Sequence, residues 1–94
     1  MMIDGNDQLT ILRRAQAAAA AGYWPEHDRL MTLTVRELRE LARRTRFSTR
    51  GCVVKKDWVN VIMSDWLAKT YFAAGYERAR HGGMFPPPVR VHSN

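Results

Sequence analysis

Apolar positions recur at helical spacing in three stretches of this chain, which predicts a small all-α domain. The first stretch runs from about Gln8 to Ala21, where Ile11, Leu12, Ala15, Ala18 and Ala19 share one face and Arg13, Arg14 and Gln16 fall outside it. Asp7 is placed to cap its start, the alanines favour helix and allow a close neighbour, and Gly22 stands where helices commonly end. Pro25 disfavours helix at Trp24, so Tyr23-Trp24-Pro25 reads as the opening of a loop. There the two aromatic rings either close the edge of the core or form a patch for a partner.

The second helix has the clearest start. Thr34 and Glu37 have the spacing of a capping box, hydroxyl to backbone in one direction and carboxylate to backbone in the other. Val35, Leu38, Leu41 and Ala42 make its apolar face, with Arg36, Arg39, Glu40 and Arg43 pointing away. Residues 46–54 lose helical periodicity and contain Gly51 and the β-branched pair Val53-Val54, so they read as an ordered, extended connection. A third helix begins near Lys55. Trp58, Val61, Ile62 and Trp66 form its apolar stripe, and Val59, Met63 and Leu67 widen that stripe enough to predict burial on more than one side. It continues through Tyr71 and Phe72 towards a break at Gly75, ahead of Tyr76 to Arg80. Beyond Gly82-Gly83, Phe85-Pro86-Pro87-Pro88 excludes helix and predicts an extended tail of polyproline character.

At 94 residues the chain has room for one domain, and three Trp, three Tyr and three Phe supply enough apolar area for a folded core. The organisation expected is a flexible N-terminus over 1–7, a helical domain over 8–81 and a Pro-rich flexible tail over 82–94. A lone cysteine, Cys52, makes no internal disulfide and reads as a reduced, half-buried thiol. The stretch Ala17 to Ala21 is short, Ala-only and preceded by Asp4 and Asp7, which is not a secretory signal, and no apolar run approaches the ~20 residues of a membrane span. A cytoplasmic protein is expected, in contact with the nucleoid if it binds DNA.

Charge changes the picture most. Residues 34–56 hold Arg36, Arg39, Arg43, Arg44, Arg46, Arg50, Lys55 and Lys56 against Glu37 and Glu40, so this segment carries the whole formal net charge of +6. Cations spread over a helix, a loop and the start of the next helix do not follow one periodic face. They point to a polyanion, with phosphate contacts giving affinity and little sequence reading. Lys55 and Lys56 would add ammonium groups to the amide donors of a helix N-terminus.

The run Leu33-Thr34-Val35-Arg36-Glu37-Leu38-Arg39-Glu40-Leu41-Ala42, followed by a spacer and Lys55-Lys56-Asp57-Trp58-Val59, resembles the helix-extended-loop-helix unit at the N-terminus of the transcription terminator Rho and of the related SAP domains. The match covers about residues 31–67. Arg46 stands where that family usually has glycine, and Cys52-Val53-Val54 is more apolar than its loops. The resemblance implies proximity to nucleic acid, DNA or RNA, in a regulatory or accessory role. It also implies that Phe47, just after the first helix of the unit, is a core anchor, whereas its place among cations would equally suit a ring that stacks on an unpaired base. Trp58 and Trp66 follow the apolar stripe and read as core.

His27, between Glu26 and Asp28, has no further ligand at a workable spacing and reads as a solvated loop histidine, while His81 and His92 are isolated. Neither a nucleophile with its base nor a phosphate-binding glycine loop is present, so no enzymatic activity, cofactor or metal is expected. The rival to nucleic-acid binding is an adaptor that docks the basic unit on an acidic protein partner and offers Met84-Phe85-Pro86-Pro87-Pro88 to a groove. The Ala-rich face of residues 11–19 fits packing within the monomer and packing against a second copy equally well.

Overall fold

The computed structural model describes residues 7–81 and 83–91. Most of the expected flexible N-terminus, together with Gly82 and His92, therefore lies outside the described residues. Three α-helices, α1 (Gln8–Met31), α2 (Val35–Arg43) and α3 (Lys55–Ala73), are followed by a 3₁₀ segment, Glu77–His81, and there is no strand among the described residues. The all-α reading is correct.

The centre of the molecule is α3. It packs against α1, α2 and the 3₁₀ segment, and α1 and α2 meet chiefly through it. Trp58, Val59, Met63, Leu67, Ala68 and Tyr71 are buried along its length, on more than one side, as its wide apolar surface predicts. Ile11, Ala15, Ala19, Tyr23 and Leu30 of α1 and Leu38 and Ala42 of α2 complete the core. Leu12 is partly buried, and Ala18, counted with the apolar face, is exposed.

Each helix start follows local chemistry. The Asp7 carboxylate accepts from the Leu9 amide at 3.2 Å and from the Thr10 hydroxyl at 2.7 Å. The capping box of α2 is complete, with Thr34 N donating to Glu37 Oε1 at 2.9 Å and Glu37 N donating to Thr34 Oγ1 at 3.1 Å. At α3 the Asp57 carboxylate accepts from the amides of Val53 at 2.8 Å and Val54 at 3.0 Å.

The end of α1 departs from expectation. The helix runs on through Gly22 and Pro25 to Met31, so Tyr23, Trp24 and His27 are helical rather than in a loop. Gly22 serves packing, because a Cβ there would stand 3.0 Å from Cζ2 and 3.2 Å from Cη2 of the Trp66 ring. Pro25 withholds one backbone donor inside the helix. That cost is offset by the apolar surface the continued helix buries through Tyr23 and Leu30. The helix then ends at Thr32, whose amide and hydroxyl both donate to Arg29 O, at 3.1 and 2.6 Å.

Beyond α3, Gly75 (φ 93°) makes the expected break. The described tail, residues 83–91, has no regular structure and runs back over α1 and α3. Phe85 stacks on Tyr71 with centroids 4.2 Å apart, and the Trp24 indole N–H donates to Pro88 O at 3.1 Å. Arg90 lies 4.9 Å over the Trp24 ring and holds Asp28 with two hydrogen bonds, 3.1 and 2.7 Å.

Candidate nucleic-acid interface

The cations of residues 34–56 lie on α2, on the connection after it and on the first turn of α3, and the structure gives them unequal roles. Arg36, Arg39 and Arg43 are exposed neighbours on the surface of α2, at spacings of three and four. The neutralising carboxylates do little to mask them. Glu37 is committed to the Thr34 cap, whose backbone amide and hydroxyl hold its carboxyl below the usual range. Glu40 approaches Arg43 at only 3.6 Å with both side chains about 60 % exposed (61 % and 62 %), a geometry with little net energy in water.

Arg39 rests 5.6 Å over the Trp58 ring, so its guanidinium is positioned without being neutralised. Trp58 itself is buried, and its indole N–H has no partner among the described residues. Arg36, Arg44, Arg46, Arg50 and Lys56 are exposed and form no ion pair among the described residues. Arg36 and Arg44 line a shallow groove along α2 with Leu33, Glu37, Glu40 and Leu41.

At the start of α3 the two adjacent lysines differ in their surroundings. Lys55 is half-buried and donates to Met31 O, the carbonyl at the end of α1, at 2.6 Å, so its ammonium closes that helix at the surface. Just ahead of the helix, Asp57 takes the amides of Val53 and Val54, which depress its carboxyl below the ordinary value.

The connection itself is irregular, with a turn closed by Cys52 N to Thr49 O at 3.2 Å and Gly51 at φ 82°. Arg44 caps α2 with φ −85°, and no residue other than glycine takes positive φ among the described residues. The helix exit therefore needs no glycine at position 46. Phe47 is half-buried and stands apart from the core cluster, so the core-anchor expectation fails. Trp66 is partly buried against the core, its ring centroid 6.0 Å from that of Tyr23 in a T-shaped contact. Cys52 is a free, half-buried thiol. His27 is also half-buried and lies 3.1 Å from Asp28.

A second basic surface escaped the sequence reading. Arg44 and Arg46, at the end of α2, share a groove of about 640 Å³ with Asp65, Lys69 and Phe72 of α3 and Arg80 of the 3₁₀ segment. The spacing of 65, 69 and 72 places those three on one line of α3, and this was the available signal. That line comes opposite Arg44 and Arg80 only through tertiary packing. No group of acidic, histidine or cysteine residues able to hold a metal occurs among the described residues, and no described helix is long and apolar enough to cross a membrane. No family model, no curated protein and no solved structure matches this chain.

Proposed function

We propose that this chain is a non-catalytic nucleic-acid-binding protein with a regulatory or accessory role, and that α2, the connection after it and the start of α3 form a Rho-N/SAP-like module. What carries the reading is the set of exposed, unneutralised cations: Arg36, Arg39, Arg43, Arg44, Arg46, Arg50 and Lys56 stand on one continuous stretch of chain whose two carboxylates are a helix cap and a loose surface partner. Such a surface neutralises phosphates and releases counterions, giving affinity that falls steeply with salt and depends weakly on sequence. Lys55 is left out of the binding set because its ammonium is engaged at α1.

The adaptor reading draws less support. The segment it would offer to a partner, Met84 to Pro88, is seated on the chain's own Tyr71 and Trp24.

The test is fluorescence anisotropy with labelled single-stranded RNA, single-stranded DNA and duplex DNA at several salt concentrations. Wild-type binding should show a log–log salt slope equivalent to about four to seven phosphate contacts, at roughly 0.7–0.9 per contact. Replacing Arg43, Arg44 and Arg46 together by alanine should weaken it and lower the slope by about two to three, with an unchanged far-UV circular dichroism spectrum. Unchanged affinity in that variant refutes the assignment.

A further inference from the structure

Phe72 is the one aromatic side chain of the nine that the fold leaves exposed, at 53 %. Around it the groove between α2, α3 and the 3₁₀ segment collects Arg44, Arg46, Lys69 and Arg80. The one acid in its lining, Asp65, is buried and pairs through Oδ2 with Lys69 at 2.9 Å, so the groove keeps an excess of three positive charges. Asp65 Oδ1 has no partner among the described residues, which leaves a hydrogen-bond acceptor in the lining of a cationic groove.

An apolar ring in the middle of four cations is not explained by packing, because Phe72 lies off the Val59, Met63, Leu67 and Tyr71 row that α3 buries and is outside the core cluster. It matches the platform on which an unpaired base stacks while flanking cations hold the phosphates. A duplex has no use for such a platform, since its bases already cover one another and present only groove edges and phosphates.

We propose that this groove binds an unpaired nucleic-acid strand, with one base stacked on Phe72 and the adjoining phosphates on Arg44, Arg46, Lys69 and Arg80. The inference rests on the nucleic-acid reading above and sharpens it to a strand type and a stacking residue. Arg44 also lines the groove along α2, so one strand passes from the α2 surface into this site without leaving positive potential. The base face and the phosphate are common to RNA and DNA.

The experiment measures full-length wild type, Phe72→Ala, Phe72→Leu and Phe72→Trp by anisotropy against fluorescein-labelled oligo-dT, oligo-rU and a mixed-sequence DNA duplex at three salt concentrations. Loss of one base stack should weaken Phe72→Ala on the single strands by roughly 5- to 150-fold. The salt slope should stay at the wild-type value, since no phosphate contact is lost. Phe72→Trp should restore binding, Phe72→Leu should not, and duplex affinity should be unaffected throughout. The ranking of oligo-rU against oligo-dT tells which strand is preferred. Wild-type affinity in Phe72→Ala, or an equal loss on the duplex, overturns this inference and leaves the basic surface standing. Absence of wild-type binding to any oligonucleotide at low salt overturns both.

Discussion

Lys55 and Lys56 are adjacent, carry the same charge and have different employment, and changing each to methionine separates the two roles. Methionine keeps an apolar stem of similar length and removes the ammonium. At position 55 this deletes the hydrogen bond to Met31 O and the cation at the end of α1. Hydrogen bonds from charged donors contribute about 1.5–3 kcal/mol when shielded, and a cation at a helix C-terminus about 0.3–1 kcal/mol. The pair sits at the surface, so screening reduces the total to about 1 kcal/mol. For a domain of this size that is a fall in Tm of roughly 4–8 °C. At position 56 no ion pair among the described residues is lost, and stability should stay within about 0.5 kcal/mol. Its binding isotherm should instead lose about 0.7–0.9 of salt slope, one phosphate contact. Thermal melts followed by far-UV circular dichroism and anisotropy salt titrations on both variants supply the comparison. A Lys55→Met protein that melts like wild type while its salt slope falls would place that ammonium on phosphate and refute the assignment.

Acidification supplies a second test. Glu37, Asp57 and Asp28 have carboxyls held below their ordinary values, Glu37 by the Thr34 amide and hydroxyl, Asp57 by the Val53 and Val54 amides, and Asp28 by His27 and Arg90. The unfolded chain takes up these protons first, so the stability they contribute is present above the ordinary carboxyl range and is lost as pH falls through the lower native values. Urea midpoints should be level from neutrality to about pH 5 and fall below about pH 4, with a shallower fall in Glu37→Gln and Asp57→Asn; stability that rises on acidification refutes this. Gly22→Ala should lower Tm, because overpacking against Trp66 at about 1–3 kcal/mol exceeds the helix-propensity gain of about 0.5–1 kcal/mol, and a higher Tm would show that the ring yields freely. Phe85→Ala should cost about 1–2 kcal/mol in urea unfolding, the half-buried share of a Phe truncation plus its stack on Tyr71, and an unchanged midpoint would mean that the tail contributes nothing to the fold.

Starts were more legible than stops. Asp7, the Thr34–Glu37 pair and the beginning of α3 near Lys55 use donors and acceptors within four residues, so the sequence alone places them. The end of α1 is decided by contacts distant in sequence. Gly22 looks like a terminator until Trp66 is laid across it, and Pro25 looks like a breaker until burial of Tyr23 and Leu30 outweighs the missing donor. The same distinction divides the interface. Local charge density marked Arg36 to Lys56, but whether a lysine faces solvent or a carbonyl elsewhere in the chain is invisible in the sequence, as Lys55 demonstrates. The groove at Phe72 draws on three elements, and only Asp65, Lys69 and Phe72 share a periodicity that reading along the chain detects.

The tail's anchor points also imply an order of events in time. Phe85 meets Tyr71 a short way back along the chain, whereas Pro88 reaches Trp24 across 64 residues and Arg90 reaches Asp28 across 62. Closing a long loop early is entropically costly, and closing it after α1 has packed on α3 is not. We therefore expect the segment to fasten from Phe85 outward and to release from the Arg90 end. During gentle heating tryptophan emission should change while helical ellipticity is still level, and coincident changes would refute this order.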